Sequence, residues 1–184
     1  DVGDEYNFSP PERETRLTTR GGRRASVSNL SAGALRSGLR IKTTLEVPRS
    51  ATADRRGRSA QTAAIDLVLE VEVSQGSEVV SCRLIVNNRA LDHRLRVLFP
   101  TGASKVGESR ADTAFGVVSR PAQRPRPSSP MPETPVNAAP LQSLVDAGDA
   151  KAGMTVLSEG LMEYEVAPAW AEGECDAIGL TILR

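Results

Sequence analysis

The sequence is poor in aromatic residues and in histidine, and both shortages limit the chemistry that the chain offers. Its 184 residues include one tryptophan, two tyrosines, three phenylalanines and a single histidine, His93. A zinc site in a protein normally takes three or four His, Cys or carboxylate ligands at workable spacing, and the sequence has no such cluster containing His or Cys. The nucleophile-elbow pattern G-x-S-x-G is also missing. We therefore predict no complete active site, no metal site and no cofactor in this chain.

Cysteine and long apolar runs are equally scarce. The two cysteines, Cys82 and Cys175, fall in apparent strands, and we expect buried free thiols rather than a disulfide. No apolar run approaches the length of a membrane span, and no signal peptide is found. The sequence thus predicts a cytoplasmic protein with no membrane partner.

Neither sign of charge dominates, since 23 basic residues balance 23 acidic residues. Nothing in this balance indicates nucleic acid as a partner. Arginines cluster within residues 13–24 and 49–58, but they lie among Gly, Ser and Thr without interleaved aromatic rings. That pattern is typical of solvated loops, and we predict no binding of nucleic acid.

The clearest positive signal is a strand pattern within residues 64–102. Its first part is an alternation of apolar residues with mostly polar ones, and the apolar residues are Ile65, Leu67, Leu69, Val71 and Val73. This period of two is that of a strand with one buried face. A turn at 75–77 and two further apolar runs, at 79–86 and 95–99, follow. Together the three signals predict a three-stranded meander.

Shorter strand signals lie on both sides of this stretch, at 26–30, 39–47, 113–119, 141–145, 154–157, 162–166 and 177–183. Residues 121–135 contain six prolines, which predicts an extended segment that crosses the surface inside the domain. No stretch has sustained helical periodicity. Roughly nine short strands joined by Gly and Pro turns predict an all-β fold, an antiparallel β-sandwich that residues 1–184 form as a single domain.

Two pairs of acidic residues are of interest because a glycosidase uses two carboxylates. They are Asp4 with Glu5 and Glu163 with Glu165. Glu163 and Glu165 are two apart on a predicted strand and therefore share one face. The simpler interpretation is that both side chains point into solvent.

Five stretches of the chain resemble a known family in the order in which they occur. They are 1–11 (DVGDEYNFSPP), 87–102 (NNRALDHRLRVLFPTG), 112–121 (DTAFGVVSRP), 160–166 (GLMEYEV) and 179–184 (GLTILR). Together they resemble the C-terminal β-domain of bacterial α-mannosidases of glycoside hydrolase family 38, in the branch that includes mannosylglycerate hydrolase. The resemblance implies a β-supersandwich of the galactose mutarotase-like type.

The resemblance also implies that the chemistry lies outside this chain. Members of the family are retaining α-mannosidases in which an N-terminal barrel carries the Asp nucleophile and most ligands of the catalytic zinc. A helical segment separates that barrel from the β-domains. This chain is then a non-catalytic part that supports the barrel and rims the sugar cleft. Its partners are the barrel and helical segment of the same polypeptide, and an α-mannoside is the substrate.

Family members continue past the LTxLR motif with a short strand. We therefore expect the sheet of this chain to lack its last strand, and the chain to be a piece of a longer protein. This expectation rests on the resemblance alone.

The family resemblance also implies which residues line the sugar cleft. In the family an aromatic near the start of the domain leans into the sugar site, and the motif places Tyr6 there, flanked by Asp4 and Asn7. A tyrosine suits the task because its ring covers a sugar face while its hydroxyl bonds a sugar hydroxyl. The alternative is that Tyr6 packs the domain against the barrel.

The GLMEYEV stretch supplies a second pair of cleft candidates, Glu163 and Tyr164, which are expected to face the same cleft. Four further residues are expected to form a buried or interfacial polar network that shapes the sandwich: Asp92, His93, Arg94 and Arg96.

Two functions of other classes stay open. The first is a free-standing carbohydrate-binding β-sandwich, although such modules usually expose a platform of aromatic rings and Trp170 is the single tryptophan. The second is a purely structural or assembly domain whose unpaired sheet edge drives oligomer formation.

Overall fold

The computed structural model of the protein describes residues 9, 12, 16–21, 24–123, 136–167 and 175–184. These ranges form a short 3-10 helix, Thr19–Gly21, and twelve strands. The strands are β1 (Ser26–Ala32), β2 (Arg36–Pro48), β3 (Thr62–Ser74), β4 (Ser81–Asn88), β5 (Leu95–Pro100), β6 (Glu108–Thr113), β7 (Gly116–Pro121), β8 (Ala139–Pro140), β9 (Leu144–Gly148), β10 (Gly153–Leu157), β11 (Glu163–Ala167) and β12 (Ala177–Leu183).

All of the strand pairs are antiparallel. The predicted all-β, antiparallel class is therefore confirmed. No helix in the described ranges is long and apolar enough to cross a membrane. Contacts group the chain into two compact units, the described residues of 12–93 and those of 94–184 together with Ser9. The single-domain assignment of residues 1–184 stays a prediction.

The first unit is one four-stranded sheet in the order β1-β2-β3-β4. β2 and β3 are each 13 residues long and pair along their whole length, from Arg36 opposite Ser74 to Pro48 opposite Thr62. The strand predicted at 39–47 is confirmed and is longer at both ends. At one end of this sheet four apolar side chains are 1–9% exposed, namely Leu45, Val47, Ile65 and Leu67.

The predicted meander is wrong in its third strand. β3 and β4 pair as expected, and Gly76 in the turn between them has a φ of 76° that favours glycine. β5, however, pairs with β12. The chain changes direction after β4, where the Asn88 side chain bonds both the N–H and the C=O of Ala90, and where Asp92 has a φ of 54°. A period of two identifies strands but does not choose their neighbours.

The second unit contains two four-stranded sheets, ordered β10-β9-β6-β7 and β5-β12-β11-β8. One hydrophobic core takes residues from both sheets, including Val145 of β9 and Ile178 of β12, each 0% exposed. A buried hydrogen bond of 2.9 Å joins the hydroxyls of Ser109 on β6 and Tyr164 on β11. The two sheets of this unit form a β-sandwich with the core between them.

The hairpin of β6 and β7 differs from the expected strand at 113–119. The chain turns at Ala114 and Phe115, and Gly116 has a φ of 144°. β6, with the sequence ESRADT, is mostly polar and has no long apolar alternation. Only Ser109 and Ala111 of this strand face the core, so its sequence gave a weak strand signal.

Two further predictions concern the cysteines and the proline-rich segment. Both cysteines are free thiols, but Cys82 is exposed and Cys175 is half-buried, so the expected burial is wrong for Cys82. Cys82 lies on the edge strand β4, and Cys175 precedes β12 rather than lying in a strand. Residues 124–135 of the predicted crossing segment lie outside the described residues.

Candidate functional site

The predicted cleft residues near the start of the chain are Tyr6, Asp4 and Asn7. All three lie outside the described residues, so their place at a sugar site stays a prediction.

The second pair of cleft candidates lies on β11, where the two side chains point to opposite faces. Tyr164 is 1% exposed in the core and bonds Ser109, whereas Glu163 lies on the other face of the strand and is half-buried. The expectation that both face one cleft is wrong, because successive side chains of a strand alternate between faces. A contact of either residue with a sugar stays a prediction.

The face of the β5-β12-β11-β8 sheet opposite the core carries the arginine–glutamate cluster, formed by Arg94, Arg96, Arg184, Glu163 and Glu165. Glu165 Oε2 lies 3.0 Å from Arg94 Nη2 and 2.6 Å from Arg96 Nη1. Glu163 lies 3.5 Å from Arg94 and 3.6 Å from Arg184. Two adjacent carboxylates are therefore held by three guanidinium groups.

Thr181 adds a neutral donor to this cluster, since its hydroxyl donates to Glu163 at 2.7 Å. The side chains of Glu163 and Glu165 are only 24% and 18% exposed, and that of Arg94 is 8% exposed. The expectation that the two glutamates point into solvent is therefore wrong. Charge-assisted bonds of this kind order side chains strongly, and a proton-transfer role for either carboxylate would require these bonds to break.

Gly179 explains how Arg96 reaches Glu165. Arg96 lies on β5 and Glu165 lies on β11, the two strands that flank β12. Gly179 of β12 is opposite both Leu98 and Glu165. A Cβ at position 179 would lie 3.1 Å from Leu98 Cδ2 and 3.6 Å from Arg96 Nη1. A glycine in the middle strand thus leaves the space through which the arginine crosses.

Asp92 and His93 belong to the first unit, whereas Arg94 and Arg96 belong to the second. The Asp92 carboxylate accepts a hydrogen bond of 3.0 Å from the Ala51 N–H, and Arg58 donates to the carbonyls of Asp92 and, at 2.9 Å, of Leu91. Burial lowers the pKa of His93 below its ordinary value. His93 is therefore expected to be neutral at pH 7.

Asp112, at the end of β6, holds the loop that leads into β9. Its carboxylate accepts hydrogen bonds of 2.9–3.0 Å from the N–H groups of Gln142, Ser143 and Leu144, and a further one from the Ser143 hydroxyl. The Ser143 hydroxyl and these N–H groups hold the pKa of Asp112 well below its usual range. These hydrogen bonds make Asp112 a structural clamp of the loop.

The described residues offer few features that a sugar or a metal would need. One groove of the first unit is lined by charged and polar residues, including Arg24, Lys42 and Asp66, together with Leu67 and Val68, and by no aromatic ring. Among the described aromatic residues, Phe115 at the tip of the β6–β7 hairpin is fully exposed. No group of three or more His, Cys, Asp or Glu in the described ranges could hold a metal ion.

Sequence reasoning missed three members of the site: Gly179, Thr181 and Arg184. A glycine inside an otherwise regular strand pattern is a known signal of close approach, so Gly179 could have been found. Thr181 and Arg184 carried no such signal, because their roles depend on β12 lying between β5 and β11.

Comparison with known proteins gives the chain a family. The sequence model described as "Glycosyl hydrolases family 38 C-terminal domain" matches residues 1–184. A protein of Halalkalibacterium halodurans named "Putative mannosylglycerate hydrolase" is 30% identical over 198 residues, which cover 100% of this chain and 21% of that protein.

Two solved structures from Enterococcus faecalis resemble the whole chain. One is described as an alpha-mannosidase, with a TM-score of 0.83, 30% identity and 21% of its own length covered. The other is described as a protein in glycosyl hydrolase family 38, with a TM-score of 0.82, 28% identity and 22% of its length covered. The chain belongs to the C-terminal domains of glycosyl hydrolase family 38, and it spans about a fifth of the length of these relatives.

Proposed function

We propose that this domain is the non-catalytic C-terminal β-sandwich of a retaining, zinc-dependent α-mannosidase, in which it supports the catalytic barrel and rims the sugar cleft. The observation that carries the proposal is the coverage: the family model spans all 184 residues, yet these residues align with only 21% of the related α-mannosidase. The remaining length has room for a barrel and a helical segment in the same polypeptide.

The charged residues of the second unit support a scaffolding role. Glu163 and Glu165 are bound by arginines of the same sheet, and Asp112 is bound by a loop of its own chain. Each of these carboxylates stabilises the fold through contacts that a catalytic acid or base would have to give up.

Zinc, where the family uses it, acts as a Lewis acid that orients and polarises sugar oxygens. The described residues do not fit such a site, since they contain no group of three or more ligands. We therefore assign zinc to the part of the polypeptide outside this chain.

Hydrolysis of an aryl α-mannoside tests the proposal. We expect turnover by the full-length polypeptide, loss of that turnover with a strong zinc chelator, and no turnover by the purified 184-residue chain. Clear hydrolysis by the 184-residue chain, or stoichiometric zinc in it, would contradict the proposal.

Tyr6 is the residue through which the domain is proposed to reach the substrate. In the full-length enzyme, Tyr6→Phe should lower kcat/KM by about tenfold, the size expected for one lost hydrogen bond in the transition state. Tyr164→Phe is the comparison: it removes a buried hydroxyl that bonds Ser109, so it should lower Tm, and an equal loss of kcat/KM would extend the proposed sugar contact to Tyr164. Unchanged kinetics for Tyr6→Phe would make Tyr6 a packing residue.

The carbohydrate-binding alternative finds one supporting feature, the fully exposed ring of Phe115. Micromolar binding of a glycan by the 184-residue chain, abolished by Phe115→Ala, would favour that function. The cytoplasmic location of the parent enzyme is part of our proposal, and fractionation of the source cells would check it.

A further inference from the structure

The sheet of the first unit has two chemically different faces. One face carries ion pairs between neighbouring strands, in which Arg40 lies 2.7 Å and Arg83 lies 3.8 Å from the carboxylate of Glu70. Arg36 and Glu72 form a further pair on the same face. The side chains of Arg36, Arg40 and Arg83 are 40–75% exposed and cover glutamates that are 12–20% exposed. The arginine end groups are in water, so this face is the solvated face of the sheet.

The opposite face is mostly apolar, although Asn29 of β1 lies opposite Leu39 on it. The strand register places Leu39, Val71 and Cys82 opposite one another in one row. The next row contains Val27, Ile41, Leu69 and Leu84. Since residues directly opposite in antiparallel strands share a face, these seven residues together with Val73 form one continuous surface, which we call the apolar face.

Much of the apolar face is exposed in this chain. Val27 is 60% exposed, Val73 is 49% exposed, Leu39 is 45% exposed, and Cys82 is also exposed. The main buried hydrophobic cluster of the described residues lies within 103–180, in the second unit. In the first unit, the same face is buried at one end, at Leu45, Val47, Ile65 and Leu67, and open over the rows named above. A single sheet with one apolar face is stable only when that face is covered, and an exposed surface of this kind marks an interaction site.

We propose that the apolar face is a docking surface for another domain of the same polypeptide. The relatives are about five times as long as this chain, because it covers only 21–22% of them. Such a length supplies ample chain to cover the face. The face carries no charged side chain, so its occupant presents an apolar surface. The inference rests on the proposed function in that it takes this domain as part of a longer enzyme.

Cys82 provides a native probe, because its free thiol lies in the apolar face. Its neighbour Arg83 is on the solvated face of the same strand, with a side chain that is 75% exposed. The experiment uses the full-length polypeptide and follows alkylation by mass spectrometry of the peptide that contains the strand. The rate at Cys82 is compared with the rate at the thiol introduced by Arg83→Cys in a Cys82→Ser background. Each rate is normalised to the same peptide in denaturant.

We expect Cys82 to react about tenfold more slowly than the thiol introduced at position 83. Docking covers Cys82, whereas the thiol on the solvated face stays in water. Equal normalised rates in a folded, full-length protein would overturn the proposal. Protection that disappears on dilution, together with dissociation of a dimer, would also overturn it, because the occupant would then be a second copy.

The outcome is separable from that of the proposed function. Hydrolysis of an aryl α-mannoside is measured on the same protein sample. If the protein hydrolyses the α-mannoside but the two thiols react at equal rates, the docking proposal is wrong and the proposed function stands. If Cys82 is protected but no hydrolysis occurs, the docking proposal stands and the proposed function is wrong.

Discussion

At the scale of single residues, the arginine–glutamate cluster shows how burial changes the contribution of an ion pair to stability. Glu165 binds Arg94 and Arg96, whose side chains are 8% and 13% exposed. Glu108 pairs with Arg110 at 3.2 Å, but these side chains are 55% and 62% exposed. A buried guanidinium that loses its carboxylate has no water to replace it, whereas an exposed one does.

Glu165→Gln is therefore expected to lower the free energy of unfolding by about 2–3 kcal/mol, because it removes the carboxylate that binds two largely buried guanidinium groups, those of Arg94 and Arg96. The measurement is urea unfolding of the 184-residue chain, followed by circular dichroism. Glu108→Gln is the matched control and should leave the midpoint unchanged. An equal effect of the two substitutions would show that the cluster does not stabilise the sheet.

At the scale of elements, β12 is the strand on which the second unit depends. It is central in its sheet, between β5 and β11. On its core face, Ile178 and Leu180 are 0% and 3% exposed. Its other face carries Gly179, over which Leu98 and Arg96 pass. A strand with one face in the core and the other beneath crossing side chains has little tolerance for added volume.

Gly179→Val should consequently destabilise the chain by about 2 kcal/mol, since its methyl groups would occupy the space of Leu98 and Arg96. Thermal unfolding of the purified chain measures the effect. Gly107→Val is the control, because a Cβ at position 107 meets nothing within 4 Å. A neutral Gly179→Val would mean that Arg96 reaches Glu165 by another path.

At the scale of the whole molecule, the two units differ in how they bury apolar surface. The second unit has a core between two sheets, with Tyr164 and Ser109 joined inside it. The first unit is a single sheet whose apolar face is partly open to water. Because hydrophobic burial supplies most of the stability of a fold, local opening should cost more free energy in the second unit.

Hydrogen exchange followed by mass spectrometry on the 184-residue chain should therefore give the slowest exchange in β9, β11 and β12. The fastest exchange among the strands should occur in β1 and β4, the outer strands of the first sheet. Protection of β1 and β4 as strong as that of β12 would contradict this expectation. In the full-length polypeptide, docking on the apolar face should slow exchange in β1–β4.

The sequence by itself determined the class of fold and the family. Alternation of apolar and polar residues is a local property, so it located β2, β3, β10, β11 and β12 without knowledge of their neighbours. The five ordered motifs indicated family 38, which the match over residues 1–184 confirms.

Only the tertiary structure decided which side chains meet. β5 pairs with β12 instead of with the predicted meander. Tyr164 lies in the core, whereas Glu163 and Glu165 bind arginines up to 71 positions away in the chain. The physical reason is that a period of two fixes which residues share a face of a strand, whereas contacts between strands depend on sheet order. Sheet order is set by burial of apolar faces over the whole molecule, and no short stretch of sequence contains it.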